Sequence, residues 1–439
     1  MPAIEKEQTF DPAMQALRAL LAQAGLPAQL AERVTFSGAD DLYATRFQAG
    51  TLTAVALAAA ALARPGSSGS LRIDLDHAAL MSEGYRHVRL DGAGVAAPRD
   101  PLTGFYATRD GREIFLHLNF PHHRARALAC LRAEPSHADI AARVLNWNMT
   151  ALDDALAACG AVAAPALRFA EWDASPQAQA LAQTPLIEIE RIGESAPEPL
   201  PSHRSLEGVE VIDFTRVLAG PTCGRVLAEA GAHVTRIEHP VTPDLLSYRL
   251  DANRDKDELT LDLRRPEALA RLHDMSARAD VFVQAYRPGV AAQFGLAPEV
   301  LCARRPGLVC ATLSAYGHAG PFAGRRGFDS VIQAAGGLAC AQGKERAHLL
   351  PTSPLDYGAG LLLAFGVEIA LQRRATQGGS YRVRTSLARI ALWLRAFQHE
   401  HAPTPRPGRV EELVAQQACE TLREIGLIRH LRSAMTNET

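Results

Sequence analysis

One aspartate stands out as a residue that could do chemistry. Asp356 lies in SPLDYGAGLLLAFGVEIAL, just ahead of a long apolar helix, with Gly358 and Gly360 close behind it. A carboxylate there has two readings that can hold together. It can cap the helix, because Asp accepts hydrogen bonds from the orphan N–H groups of a first turn. It can also be a nucleophile, since the positive end of a helix favours the ionised form that attack requires. The two glycines would let a ligand approach the backbone closely. Other candidates carry less. His122-His123 and the scattered histidines lack HExxH or Cys/His ligand spacing, so no metal site is expected. Ser314 sits in LSAYG, not in the GxSxG of a nucleophile elbow. Arg325-Arg326, flanked by Gly324 and Gly327, reads as solvated or, at a sheet edge, as a phosphate contact.

Behind these residues the second half of the chain alternates strand and helix. Residues 209–213, 232–237, 259–263, 281–283 and 308–313 read as strands, and 222–230, 265–276 and 297–304 as helices. Strands separated by helices of about ten residues argue a parallel sheet covered on both faces. The strand–loop–helix–strand of residues 206–240 contains neither GxGxxG nor GxxxxGKS, so neither a dinucleotide fingerprint nor a P-loop is supported. Its loop would still lie at the carboxyl edge, where such sheets bind ligands. The first half is less regular. Residues 13–34 and 50–63 read as helices and 70–75 as a strand. Strands at 113–118 and 186–191, with helices at 123–132, 150–158 and 175–183, suggest a smaller α+β domain.

The expected division is therefore 1–98 as a helical segment with a joining helix and strand, and 99–192 as the small domain. The proline-bearing stretch 193–205 is a linker, 206–398 the Rossmann-like domain, and 399–439 a tail with a helix at 409–424 and a frayed end. An internal repeat cuts across this division. A shift of 310 residues, without gaps, places Ala49-Gly50 on Ala359-Gly360, Arg64 on Arg374, Gly69-Ser70 on Gly379-Ser380 and Arg72 on Arg382. Each copy reads as helix, glycine turn, strand and helix, and self-similarity of this kind marks shared structural units. The copies differ where it matters: Asp356 falls on Arg46.

Composition narrows the class. With 439 residues, 47% of them hydrophobic and 21% charged, the chain can fill real cores. A net charge of −2 gives no basic field for nucleic acid, and only Lys6, Lys256 and Lys344 are lysines. Seven cysteines without a CxxC pair suit a reduced compartment. The apolar run 52–62 is about half the ~20 residues of a membrane span. A cytoplasmic protein that engages neither membrane nor nucleic acid is expected.

Taken together, LEGVEVIDFTRVLAGP, GAHVTRIEHP, LTLDLRRPEAL, ADVFVQAYRPGVAAQFGL, LSAYGHAGPFAGRRGFD and LDYGAG resemble the family III (CaiB/BaiF-type) CoA-transferases. That group includes formyl-CoA transferase, carnitine CoA-transferase and α-methylacyl-CoA racemase. The resemblance covers residues 206–398. Residues 50–190, with GSLRIDLDHAAL and DPLTGFYATRDGREIFLHLNF, resemble the portion that follows in the family. The family's second half thus precedes its first, as in a permuted or partly duplicated chain.

The resemblance implies an α/β fold with a Rossmann-like CoA-binding domain, a smaller α+β domain and a homodimer. It also implies an aspartate that passes through anhydride and CoA-thioester intermediates, with coenzyme A as substrate and no other cofactor. Asp356 matches that aspartate. Lys256 matches a lysine near the CoA phosphates and Tyr316 a tyrosine by the thioester. Ala219, Ala285 and Tyr286, with Arg287 beside them, match positions around CoA. Leu218 stands where formyl-CoA transferase has a polar residue, and His239 and Gln293 replace arginines, which weakens phosphate anchoring. Gly92 and Gly94 are the candidates for a covering loop. The leading reading is a CoA-transferase between carboxylic acids. The alternatives are a non-catalytic CoA-binding relative and an acyl-CoA racemase; Phe328, where the racemases carry histidine, disfavours the latter.

Overall fold

A computed structural model describes residues 12–95, 99–202, 205–343 and 345–438. Its centre is a seven-stranded sheet in the order 257–260, 233–238, 210–214, 281–284, 309–314, 380–386, 188–193. The first six strands run parallel and the last antiparallel. Counted along the chain from Glu210–Phe214, the parallel six lie in the order 3-2-1-4-5-6, the doubly wound dinucleotide-binding arrangement. Val281–Gln284 and Val309–Ser314 are buried at every position, as strands covered on both faces must be. Four of the parallel strands lie within a residue of where the sequence places them, at 209–213, 232–237, 281–283 and 308–313; the strand expected at 259–263 forms earlier, as Asp257–Thr260.

The joining helix Pro354–Gln377 is long and apolar enough to cross a membrane, yet its apolar stretch is wholly inside the protein. It packs against helix Ala49–Ala63, all fifteen residues of which are buried. These helices and the sheet share one core, so the segment before residue 99 is not a separate unit.

The two repeat copies have the same order of elements, a helix, a strand and a helix. Ala49–Ala63, Ser70–Asp74 and Leu75–Met81 answer to Pro354–Gln377, Ser380–Ser386 and Leu387–Leu394. Their surroundings match as well. Ser70–Asp74 pairs parallel with Val34–Ser37 and antiparallel with Met435–Glu438. Ser380–Ser386 pairs parallel with Val309–Ser314 and antiparallel with Glu188–Gly193.

Three expectations are corrected. The strand expected in the small domain at 186–191 forms as Glu188–Gly193 and completes the large sheet. The helix expected at 13–34 ends at Gln23, and Val34–Ser37 is a strand. The C-terminal helix stops at Gln417; strands Ala418–Arg423, Gly426–Leu431 and Met435–Glu438 follow, so the described part of the tail, expected as helix with a frayed end, is mostly strand. The small domain proper is the antiparallel sheet Gly104–Ala107, Glu113–Leu116, Ala163–Pro165 with helices Pro121–Leu131, His137–Val144 and Met149–Ala158 around its own core.

Candidate active site

Two cavities meet at Asp356. The smaller, about 260 Å³, opens at the carboxyl ends of Glu210–Phe214 and Val281–Gln284. Strand order reverses between these two strands, and ligands bind such sheets at that crevice. Its wall holds Leu218, Ala219, Ala285, Tyr286 and Arg287 from the expected site, with Arg216, Arg326 and His122-His123. The larger, about 500 Å³, lies on the other side, against the small domain's His117, Asn119 and Phe120 and against Arg86, Arg99 and Asp100. Phe120, Val217, Leu218, Phe328 and Asp356 line both. Of these five, only Asp356 carries an ionisable group.

The loop before helix Ala219–Glu229 is held under strain. Val217 adopts φ 70°, a conformation costly for a β-branched side chain. Its amide donates to Asp244 Oδ2 at 3.0 Å, and Asp244 is gripped in turn by Arg216 and Arg236. The twist sets Leu218 between the cavities. Gly360 then lets the joining helix close on this loop, since a Cβ there would lie 2.4 Å from the Ala219 carbonyl oxygen.

Asp356 is not the helix cap. Ser353 occupies that position, and Asp356 sits within the first turn. The capping acceptor is Asp329, whose Oδ2 receives the amides of Leu355 at 2.8 Å and Asp356 at 3.0 Å. The Asp356 carboxyl is therefore free for other work. It is 8% exposed, and burial followed by the neighbouring charge of Asp329 raises its pKa well above the usual carboxylate range. Burial likewise pushes Asp329 up to about 6. Here desolvation outweighs the helix dipole expected to keep Asp356 ionised. The consequence suits a nucleophile, because a carboxylate of raised basicity attacks better once its proton is gone.

Other expected contacts lie elsewhere. The Lys256 ammonium is fully enclosed, 2.7 Å from Asp213 Oδ2 and 2.7 Å from the Pro221 carbonyl oxygen, so it braces the loop from beneath and does not line either cavity. Burial lowers its pKa to about 8 against the pull of Asp213. Tyr316 is 2% exposed, edge-on to Phe322, and lines neither cavity. Nor does His239, whose Nδ1 accepts from the Val241 amide at 3.1 Å. Gly92 and Gly94 belong to the hairpin Arg89–Leu90 and Ala93–Gly94, paired with Gly426–Leu431, and do not cover Asp356. Arg46, the repeat counterpart of Asp356, is exposed and precedes its helix. Of the arginine pair, Arg325 binds Asp153 and Asp154, while Arg326 faces the smaller cavity. Phe328 stacks on His117 with ring centroids 4.3 Å apart. The residues that sequence reasoning missed are Arg99, His117 and Asn119, which belong to no motif.

The profile of CoA-transferase family III matches residues 206–421. A probable fatty acyl-CoA transferase of Mycobacterium tuberculosis is 34% identical over 210 residues, covering 44% of this chain and 53% of that one. The alpha subunit of succinyl-CoA–L-malate CoA-transferase from Chloroflexus aurantiacus is 36% identical over 189 residues, 39% of this chain and 44% of the relative. A crystal structure of the M. tuberculosis protein aligns with TM-score 0.41 and 34% identity, over 43% of this chain and 56% of that one. The chain spans about half the length of these relatives. Residues 206–421, just under half of the chain, carry the CoA-transferase family III profile.

Proposed function

We propose that this protein moves CoA from an acyl-CoA to a carboxylic acid through covalent intermediates on Asp356. The observation that carries the reading is the free carboxyl of Asp356 on the wall between two cavities. The switch-point cavity suits the thiol end of CoA against Ala219, Ala285 and Tyr286, with Arg216, Arg287 and Arg326 as charge for its phosphates. The larger cavity suits the acid. The relatives named as CoA-transferases support the same class of reaction.

In this mechanism the Asp356 carboxylate attacks the thioester carbonyl. The C–S bond breaks, leaving a mixed anhydride and CoA thiolate. The thiolate then attacks the aspartyl carbonyl and expels the first acid as its carboxylate, forming an aspartyl-CoA thioester. A second acid's carboxylate displaces the thiolate, and the thiolate takes the new acyl group, freeing Asp356. A carboxylate serves because it is a modest nucleophile that becomes a good leaving group once acylated. No net proton is consumed, and no metal or further cofactor is required. Incubation with a panel of acyl-CoAs, then intact-mass and peptide analysis, tests this. An adduct on Asp356 is expected; acyl exchange without one would overturn it.

The chain order is read as a permutation or partial duplication of the family's order, supported by the matched surroundings of the two repeat copies. A homodimer in the cytoplasm is proposed as well, and sedimentation velocity at micromolar concentration tests the dimer.

A further inference from the structure

Next to Asp356 lies a buried polar cluster that lines neither cavity. Tyr357, the following residue on the joining helix, donates its hydroxyl to Asp251 Oδ2 at 2.7 Å. Arg225, from helix Ala219–Glu229, donates to the same oxygen at 3.3 Å and to the Asp251 carbonyl oxygen at 3.3 Å. Its guanidinium also lies 5.8 Å from the centre of the Tyr357 ring. All three side chains are buried. An enclosed ion pair of this kind holds its geometry, because breaking it strands a charge away from water.

The cluster reaches the wall of the larger cavity by two routes. The Tyr357 hydroxyl accepts from the Tyr85 amide at 3.3 Å. Asp251 lies in helix Leu246–Ala252, about one turn after Tyr248, whose ring is edge-on to that of Tyr85 at 4.9 Å. Tyr85 and Tyr248 both line that cavity. Two further bonds join the same stretch to the start of the joining helix: the Ser353 amide donates to the Ser82 carbonyl oxygen at 2.8 Å, and Arg86 to the Pro351 carbonyl oxygen at 2.9 Å. Gly84 permits the approach, since a Cβ there would stand 3.0 Å from Asp251 Oδ1. We propose that Tyr357 and Asp251 are positioning residues, which fix the wall of Tyr85 and Tyr248 against the helix that carries Asp356. A tyrosine hydroxyl suits the task because it donates and accepts at one atom, and so joins two segments. Phenylalanine would keep the ring and lose both bonds.

The inference rests on the transferase reading for its effect on rate, but one readout is independent of turnover. With acetyl-CoA as donor and propionate as acceptor, Tyr357→Phe should lower kcat by about 10- to 100-fold, the range expected when reacting groups are misplaced by about 1 Å. The KM for acetyl-CoA should stay within about twofold, because the loop beside the smaller cavity is braced separately by Lys256 and Asp213. Asp251→Asn keeps an acceptor for the tyrosine hydroxyl and Asp251→Leu does not, although both remove the counter-charge of Arg225. The asparagine variant should therefore retain more of kcat, and Tyr357→Phe should cost little further once Asp251 is leucine. Tyr357→Phe preserves the ring's packing and decides the matter alone if Asp251→Leu does not fold. Hydrogen exchange read by mass spectrometry should be faster in its peptide spanning residues 83–90, with the central sheet unchanged. That loosening in a protein that forms no acyl adduct would support the coupling and sink the transferase reading. Wild-type kcat in Tyr357→Phe, additive losses in the double variant, or unchanged exchange at Tyr85 would overturn the assignment.

Discussion

Gly360 lies one helical turn beyond Asp356, at the closest approach of the joining helix to the strained loop. Replacing it with alanine should damage stability and activity together. An added Cβ would stand 2.4 Å from the Ala219 carbonyl oxygen and 2.6 Å from Thr222 Cβ, about 1 Å inside the ~3.5 Å of ordinary contact. The carbonyl belongs to the first residue of helix Ala219–Glu229, so relief requires two helices to part. Inserting a methyl group into a packed core costs about 1–3 kcal/mol, and contact with backbone points to the upper end. Alanine recovers about 1 kcal/mol of helix propensity over glycine, leaving a net loss of about 1–2 kcal/mol. Displacing the helix also moves Asp356, and a shift near 1 Å can cost about 100-fold in rate. Gly358→Ala is the control. Its Cβ would meet Leu52 Cδ2 at 2.5 Å and Ile390 Cγ2 at 3.3 Å, both side-chain ends able to turn. Urea unfolding and CoA exchange on both variants decide the matter. If Gly360→Ala is as stable and active as wild type, or if Gly358→Ala is the worse of the two, the close approach does not position the aspartate.

Three further outcomes are expected. Asp356→Asn should abolish exchange and adduct formation while the melting temperature holds or rises, because Asp356 caps nothing and its buried carboxyl resists ionisation; exchange at the wild-type rate would move the nucleophile elsewhere. In the proposed mechanism only ionised Asp356 attacks, so activity should fall as pH drops through its raised pKa, and Asp329→Asn should move that limb to lower pH by removing the like charge. A limb near the ordinary carboxylate pKa of about 4 would contradict the burial argument. Lys256→Met should cost about 3–5 kcal/mol by stranding the enclosed Asp213 charge, read by urea unfolding, with CoA affinity of the folded protein within about threefold of wild type.

The parts legible in the sequence were those with local signals. Short apolar runs between amphipathic helices gave the parallel strands, and GS-x-R at a fixed spacing gave the repeat. What was not legible depended on distant partners. Residues 418–431 are rich in Leu, Glu and Arg, which favour helix, yet they form strands because Gly426–Leu431 pairs with Arg89–Leu90. Ile187–Glu190 alternates apolar and charged residues as a strand can, but nothing in the sequence says which sheet Glu188–Gly193 joins. Lys256 is conspicuous as one of three lysines; that its ammonium is sealed against Asp213 depends on a strand more than forty residues away. Arg99 and His117 carry no motif because their chemistry arises only where the small domain meets the joining helix.

The two repeat copies differ at the start of the joining helix. In each copy an aspartate caps the joining helix, but at positions offset by five residues in the aligned register. Asp329 receives the amides of Leu355 and Asp356, whereas Asp40 receives those of Gly50 and Thr51, the counterparts of Gly360 and Leu361. The first copy has therefore lost the turn that presents Asp356 in the second. Its glycine closes on backbone as Gly360 does: a Cβ at Gly50 would lie 2.1 Å from the Leu75 carbonyl oxygen. The helix ends are more alike. Arg64 faces Glu368 of the other copy at 3.7 Å, and Arg374 faces Asp280 at 2.8 Å. Glu368 is wholly buried, and burial raises its pKa to about 8 against the pull of Arg64. That ionisable contact lies inside the joint between the copies, where apolar residues of similar volume would pack at no greater cost. The joint thus keeps the scaffold half of the repeat, while only the second copy has the helical turn that carries Asp356.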